Sequence, residues 1–433
     1  MKINKNKIKK DLKSFNNNKC MKRSFQVTIP DDQRYFCSLK INFSSEPAPN
    51  ILNTKEYELL TRYKNKIDEK EYNKSWDNYK KYSNEFELVH TSCIKNKINN
   101  SIAFYIPLSR SYFKLWEIIS DYNLLSYNRY ISTAHIAEGP GGFMESVVNY
   151  RKKMGFYNEK IYGITLRSTE KEIPGWRKSD KFLKYNPNVS ILYGADNTGN
   201  IYKLPNILDF RDKVGPNSCE LVTADGGFDF SIDFNKQEQL SYQLIFCEII
   251  SALSVQKIGG SFVCKFFDTY SILTVKYLWL LNVCYESVIF TKPLTSRSAN
   301  SEKYIVAYKF RGIDEFYLQQ LYIIVEQWNY IDPNLFVVDI FNYPIDDSYL
   351  NIIRNYNNSM ILSQTYNIVR TLHLIKMNSL ERSKTMIVRN QVEKAIQWCL
   401  KYQIEINYKS CYLTSQDRSY INKYLKKYYN EYK

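Results

Sequence analysis

The chain has 433 residues, of which 44% are hydrophobic and 15% aromatic, so it is long enough for a large buried core and two or three domains. Its formal net charge of +16 at pH 7 favours an anionic partner, most commonly nucleic acid, although a composition biased toward lysine would raise the charge without any such function. Nine scattered cysteines without a C-x-x-C pair and only three histidines exclude a zinc site of the usual spacing, and no apolar run reaches the roughly 18 residues of a membrane span.

The first region, residues 1–105, is polar and predicts a mixed α/β segment of unknown role. It begins with MKINKNKIKKDLK, which has no apolar run behind it and is expected to be a phosphate-contacting arm rather than a secretory signal. SFQVTI and YFCSLKINF predict short strands, and the stretch from Thr54 to Val89 predicts a long helical segment with charges at i,i+4 spacing.

The second region, residues 106–312, alternates short apolar strands with helical segments. The strands are predicted in TAHIAEG, KIYGITL, NVSILYG, CELVTAD, GSFVCKFF, ESVIFTKP and KYIVAYKF. This alternation indicates a mostly parallel sheet that is covered by helices on both faces. Because such sheets bind ligands beyond the carboxyl ends of their strands, the residues there are the functional candidates.

A glycine-rich turn, EGPGGF at residues 138–143, follows the first of these strands and precedes a helix. Glycines let a backbone turn tightly and approach a ligand closely. The spacing does not satisfy the dinucleotide pattern G-x-G-x-x-G, because Met144 stands at its last position. The turn therefore predicts a ligand loop, with a purely structural turn as the alternative, and argues against a nicotinamide dehydrogenase.

Charged residues end or interrupt three further strands. Asp196 follows the third strand in YGADNTGNI, where an Asx turn alone would also explain it. Asp225 follows the fourth strand and precedes two glycines, which indicates an exposed acid with room around it. Lys265 lies inside the apolar strand SFVCKFF, where an ammonium is costly unless it is paired, although an edge lysine could also extend to solvent.

Two polar segments flank this set of strand ends. SRSYFKLWEII predicts a helix start with Ser109 as a cap candidate and with Arg110 and Lys114 on one face. A serine-rich loop before the last strand contains Arg297, Asn300 and Glu302. The final region, residues 313–433, is predicted to be helical, with candidate helices at 347–376 and 384–402.

The segments SRSYFKLWEI, EGPGGF, YGADNTGNI, TADGGFDF, ALSVQKIGGSFVCKFFDTYS and TKPLTSRSANSEKYIVAYK resemble the FtsJ-like S-adenosylmethionine-dependent RNA ribose 2′-O-methyltransferases. The resemblance covers about residues 106 to 310 and is closest to the branch that methylates the first nucleotides of capped mRNA. The C-terminal region also resembles FtsJ-like proteins of large cytoplasmic DNA viruses. The implied fold is an α/β Rossmann-like methyltransferase with a mostly parallel, seven-stranded sheet, a polar N-terminal region and a helical C-terminal region.

The resemblance also implies site residues, and no metal is expected. The implied catalytic group is Lys114, Asp225, Lys265 and Glu302. The implied binding residues for S-adenosyl-L-methionine are Ser109, Glu138, Gly139, Pro140, Gly141, Gly142, Phe143, Asp196 and Asp225. The implied substrate-binding residues are Arg110, Arg297 and Asn300. Ser109, Glu138, Asn197 and Asn200 depart from the residues that are common in the family, and the second strand ends without an acid for the cofactor ribose.

Lys265 is expected to be the base that removes the proton of the ribose hydroxyl, with its pKa lowered by burial and by Lys114. The predicted partner is RNA, most specifically capped mRNA, with other capping or transcription proteins and without a membrane. Ribosomal or transfer RNA is the alternative substrate, and a catalytically inactive RNA-binding subunit is the alternative of another class. The predicted compartment is cytoplasmic, namely the host cytoplasm or the virion for a viral protein, with the nucleus left open.

Overall fold

The computed structural model describes residues 24–431 apart from residues 53, 93, 96–97, 158, 168–174, 228–234 and 378–380. The basic stretch at the N-terminus therefore lies outside the described residues. The strands are β1 (Ser24–Val27), β2 (Leu39–Ser44), β3 (Ile94–Lys95), β4 (Ile98–Asn99), β5 (Ser132–Ile136), β6 (Lys160–Ile164), β7 (Val189–Leu192), β8 (Cys219–Ala224), β9 (Gln256–Phe266), β10 (Tyr285–Thr291), β11 (Lys303–Phe310) and β12 (Phe336–Phe341).

The helices surround these strands. They are α1 (Lys55–Ile67), α2 (Lys70–Ser83), α3 (Ser111–Tyr122), α4 (Gly142–Lys153), α5 (Asp180–Tyr185), α6 (Leu204–Val214), α7 (Gln237–Val255), α8 (Ile272–Cys284), α9 (Glu315–Trp328), α10 (Asp347–Met377), α11 (Glu381–Lys401) and α12 (Ser415–Glu431). Within the described part of the chain, no helix is both long and apolar enough to cross a bilayer.

The main sheet has the strand order β1-β10-β11-β9-β8-β5-β6-β7. The five strands from β9 to β7 are parallel, whereas β11, β10 and β1 are antiparallel to their neighbours. The predicted Rossmann-like, mostly parallel architecture is confirmed. The predicted count of seven strands is wrong, because Ser24–Val27 of the N-terminal region pairs with β10 as an eighth strand. This strand covers backbone groups that an edge strand would otherwise leave unpaired.

The sheet is buried on both faces, as its apolar strands require. Helices α7 and α8 are buried along most of their length, and they pack on the face opposite to α3 and α4. The parallel strands β5, β8 and β9 lie side by side, so their carboxyl ends open at one edge of the sheet. This places residues 137–140, residues 225–227 and Lys265 together.

The flanking regions pack onto the sheet and onto each other. β2 of the N-terminal region pairs with β12 of the C-terminal region, and α1, α2 and α10 share one apolar cluster. The C-terminal region is helical as predicted, apart from β12. The division of the chain at residues 105 and 312 stays a prediction.

Candidate active site

A cavity of about 1200 Å³ opens beyond the carboxyl ends of β5, β8 and β9. A site for one small ligand typically occupies roughly 300–1,000 Å³, so this cavity has room for a cofactor and part of a second ligand. Its far wall comes from the flanking regions. There α2 presents Asn73, Trp76, Asp77 and Lys80 at helical spacing, and α10 presents Gln364.

Lys114 and Glu302 form the first ion pair of the site. Lys114 lies in the first turn of α3, and Glu302 directly precedes β11. The distance from Lys114 Nζ to Glu302 Oε2 is 2.8 Å, and each side chain is 13% exposed. The polar loop before β11 therefore delivers its carboxylate to the start of a helix that is distant in sequence.

Lys265 and Asp225 form the second ion pair. Asp225 is the first residue after β8, and Lys265 is the penultimate residue of the neighbouring parallel strand β9. Lys265 Nζ lies 3.3 Å from Asp225 Oδ1 and donates a hydrogen bond of 2.7 Å to the Asp225 carbonyl oxygen. Lys265 is thus a paired interior cation, and the alternative of an edge lysine that extends to solvent is wrong.

Tyr304 joins the two ion pairs. It is the cross-strand partner of Lys265 in the β11–β9 register. Its hydroxyl donates to Asp225 Oδ1 at 2.9 Å and accepts from Lys114 Nζ at 3.4 Å. The sequence analysis missed this residue, although the two-residue spacing from Glu302 to Tyr304 signals that both face the same side of an extended chain.

The charges of the site hold Glu302 ionised. Burial alone would raise the pKa of Glu302, but Lys114, Lys265 and Lys292 outweigh it and hold the pKa well below its ordinary value. For Lys265, burial lowers the pKa, but Asp225, Glu302 and Glu248 together raise it above 10.5. The expected lowering of this pKa is therefore wrong, because three carboxylates surround the amine.

Some residues of the glycine-rich turn line the cavity, and others lie outside its lining. Gly139 and Pro140 line the cavity, and a Cβ on Gly139 would lie 2.6 Å from the backbone of Gly175. Phe143 is fully buried in the core. Gly141 and Gly142, at the start of α4, are outside the set of described residues that line the cavity.

Glu138 lines the cavity, and its carboxylate is buried among hydrogen-bonding side chains. It accepts a hydrogen bond from the Thr223 hydroxyl, and its Oε2 atom lies 3.2 Å from His135 Nδ1. Burial raises the pKa of this carboxyl. These contacts hold Glu138 at the turn, and its role in cofactor binding stays a prediction.

The two other predicted cofactor residues lie in different surroundings. Ser109 lines the cavity beside the start of α3. Asp196 lies outside the lining: its carboxylate accepts hydrogen bonds from Thr198, Asn206 and Lys203 within the turn before α6. Its role in cofactor binding stays a prediction, and the structure places Asn200 of the same turn at the cavity.

Two of the three predicted substrate residues, Arg110 and Arg297, are held by one acid. Glu87 Oε1 lies 3.0 Å from Arg110 and 2.7 Å from Arg297. Arg110 and Asn300 line the cavity, whereas Arg297 is outside its lining. Glu87 was not singled out in the sequence because nothing local marks it as the partner of two distant arginines.

The residues of the cavity fit a cofactor with a polar amino-acid end and a flat base. Residues 137–140 and Asp225 line the cavity, and Leu166, Leu244 and Phe267 supply apolar surface. A Cβ on Gly227 would lie 3.0 Å from Lys265 Nζ, so the missing side chain keeps space open beside this amine.

Comparisons with known proteins give the family of this part of the chain. Residues 107–310 match the FtsJ-like methyltransferase family. Residues 107–310 are an FtsJ-like methyltransferase domain. Over 205 residues the chain is 38% identical to the cap-specific mRNA (nucleoside-2′-O-)-methyltransferase 1 of Mus musculus, covering 45% of this chain and 23% of that protein. Over 324 residues it is 28% identical to the Drosophila melanogaster protein of the same name, covering 72% of this chain and 40% of that protein.

The FtsJ-like domain is also similar to a ribosomal RNA methyltransferase structure from Plasmodium falciparum. That similarity has 21% sequence identity and a TM-score of 0.34, and it covers 47% of this chain and 99% of the other. The chain spans less than half the length of the two curated relatives named above.

Proposed function

We propose that this protein transfers a methyl group from S-adenosyl-L-methionine to a ribose 2′-hydroxyl of RNA, in the first transcribed nucleotides of capped mRNA. The observation that carries the proposal is the pair of lysine–carboxylate contacts joined by Tyr304 at one end of the cavity. The match to the FtsJ-like family and the similarity to cap-specific methyltransferases support the substrate class.

The cofactor, when bound, supplies an electrophilic methyl group. We place it along residues 137–140 and Asp225, because these line the cavity beside Lys265. The chain must then hold the ribose hydroxyl in line and remove its proton. Lys265, which lines the cavity, and Lys114, which is paired with the cavity-lining Glu302, are the proposed amines that orient the oxygen and stabilise its developing charge.

Lys265 is our proposed base, although it holds its proton tightly in this structure. Asp225, Glu302 and Glu248 outweigh the effect of burial on its pKa. A further positive charge in the cavity would lower that pKa, since like charges disfavour the protonated amine. Lys265 therefore becomes a base only in the loaded site.

The wall formed by α2 and α10 is the proposed RNA side of the cavity. Lys80 of α2 lies on this wall, Arg110 and Asn300 line the cavity as well, and the net charge of +16 favours phosphate contacts. The cytoplasmic compartment and the association with other capping or transcription proteins stay predictions.

The decisive experiment offers capped and uncapped short RNAs, together with ribosomal and transfer RNA, to the protein with labelled S-adenosyl-L-methionine. The methylated ribose is then mapped. Label in the first nucleotides of capped RNA supports the proposal. Label found only in ribosomal or transfer RNA would contradict capped mRNA as the substrate. RNA binding without any methyl transfer would instead support the alternative of a catalytically inactive RNA-binding subunit.

Replacing Lys265 tests the base. Lys265→Ala is expected to lower kcat by about 10²- to 10⁴-fold while the Kd values for cofactor and RNA stay close to wild type. Lys257→Ala is the matched control, because Lys257 is an exposed lysine at the other end of the same strand. If Lys265→Ala transferred methyl groups at the wild-type rate, Lys265 would not be the base.

A further inference from the structure

The loop between β10 and β11 is closed at its base by one lysine. Lys292 Nζ donates to the carbonyl oxygen of Glu302, to the carbonyl oxygen of Asn300 at 3.0 Å and to Ser296 Oγ at 3.3 Å. All three acceptors belong to the loop that Lys292 itself begins. One ammonium group therefore links the start of the loop to its end.

The same network continues to the carboxylate of Glu302. Ser296 Oγ donates to Glu302 Oε1 at 2.7 Å, and Lys114 Nζ donates to Glu302 Oε2 at 2.8 Å. Lys292 thus fixes the backbone of Glu302 directly and fixes one carboxylate oxygen through Ser296. The other carboxylate oxygen of Glu302, Oε2, accepts the hydrogen bond from Lys114.

Different contacts hold the middle of the loop. Arg110 donates to the Thr295 carbonyl oxygen, Glu117 accepts from the Leu294 backbone, and Gln364 donates to the Ala299 carbonyl oxygen. These contacts anchor the loop to α3 and α10. None of these three contacts involves the backbone oxygen of Glu302, which accepts its hydrogen bond from Lys292.

Keeping a lysine in this position is costly for the fold. Burial, helped by the neighbouring Lys303 and Lys114 and opposed by Glu302 and Asp268, lowers the pKa of Lys292 to about 7. An apolar residue would avoid this desolvation. The specific bonds to Glu302 and Ser296 are what a lysine provides here.

We propose that Lys292 is a positioning residue for the methyl transfer: it sets the orientation of Glu302 and, through Glu302, that of Lys114. The inference rests on the proposed function. Lys292 is not assigned any contact with the substrate or the cofactor.

The test is Lys292→Met, which keeps the length of the side chain and removes the ammonium. We expect kcat to fall about 10- to 100-fold, because small displacements of a reacting group have effects of this size. The KM values for S-adenosyl-L-methionine and capped RNA should stay within about twofold, since uniform binding is unchanged.

Lys276→Met is the matched control. Lys276 is also buried and donates to Asp339 at 2.6 Å and to the Phe341 carbonyl oxygen at 2.8 Å, on a helix away from the cavity. Its replacement should lower Tm without lowering kcat. An equal loss of kcat in both variants would show a general effect of destabilisation and would overturn the proposal.

A second variant tests the inference in the event that the Lys292→Met protein does not fold. Ser296→Ala removes only the hydroxyl between Lys292 and Glu302, and it should lower kcat in the same direction. In a Glu302→Ala background, Ser296→Ala should cause no further loss in single-turnover assays. Wild-type kcat in Ser296→Ala, or a further loss in that background, overturns the inference. Absence of transfer by the wild-type protein would instead contradict the proposed function.

Discussion

The candidate site shows at the residue scale that pairing decides the protonation of its amines. Lys265 and Lys292 are both removed from water, yet burial prevails only in Lys292, where it lowers the pKa to about 7. In Lys265, the carboxylates of Asp225, Glu302 and Glu248 prevail and raise the pKa. The same residue type therefore has opposite pKa directions within one site, because the number of nearby carboxylates differs.

Glu248 provides a test of this balance. Its carboxyl is buried, which raises its pKa to about 8, and it accepts a hydrogen bond from the Gly226 backbone at 3.0 Å. Glu248→Gln keeps an acceptor but removes the negative charge that Glu248 carries above about pH 8, which raises the pKa of Lys265. Loss of that charge lowers the pKa of Lys265, so the alkaline rise of the single-turnover rate should begin at lower pH than in the wild type.

The measurement is the rate of methyl transfer as a function of pH with saturating RNA and cofactor. Glu393→Gln is a suitable control, because Glu393 is an exposed acid on α11. An unchanged profile, or a shift to higher pH in Glu248→Gln, would contradict the assignment of Lys265 as the base.

At the scale of elements, helices outside the FtsJ-like domain complete the cavity. α2 is held against α10 by the Ser83–Thr371 hydrogen bond of 2.7 Å, and Gln391 of α11 donates to the Lys81 and Asn84 carbonyl oxygens. The helix face that carries Asn73, Asp77 and Lys80 is therefore held in place before any ligand arrives.

Lys80 tests whether this face contacts RNA. Lys80→Ala should weaken RNA binding and reduce the slope of log K against log salt concentration by about 1, as expected for one lost phosphate contact. Lys74→Ala is the control, since Lys74 is an exposed lysine of α2 outside the cavity lining. Fluorescence anisotropy at several salt concentrations measures both; equal slopes for the two variants would refute the contact.

At the scale of the whole molecule, a buried ion pair joins the N-terminal region to the sheet domain. Lys64 Nζ of α1 lies 3.0 Å from Asp268 Oδ2, and the two side chains are 6% and 4% exposed. Burial alone would raise the pKa of Asp268, but Lys64 and Lys303 outweigh it and hold the pKa below 3.8. The stability from this carboxylate is therefore present above about pH 4 and is lost as pH falls through the lower, folded-state pKa.

Asp268→Asn should lower the free energy of unfolding at pH 7 by about 3–5 kcal/mol, because it removes the buried carboxylate that faces the buried cations Lys64 and Lys303. Urea unfolding at pH 7 and near pH 3 measures the effect. The difference between variant and wild type should shrink at the acidic pH, because the Asp268 carboxyl of the unfolded wild-type chain binds a proton there before the folded one does. A constant difference at both pH values would show that the charge is not responsible.

Much of the fold and part of the candidate site follow from local sequence patterns. The apolar strands, the glycine-rich turn and the acids at strand ends are marked in the sequence itself, and a parallel sheet necessarily brings such ends together. Glu87 and Lys292 carry no such local mark, and Tyr304 has only its two-residue spacing from Glu302. Their partners lie in other segments, and only the packed structure identifies them.

The sequence alone determined the strand–helix alternation, the four charged residues of the candidate catalytic group and the resemblance that unites them, because these depend on residue type, order and spacing. The tertiary structure decided which charges meet, which residues turn inward and which amine keeps its proton. Burial and distance set these energies, and neither is defined until segments such as β1, α1 and α10 have packed against the sheet.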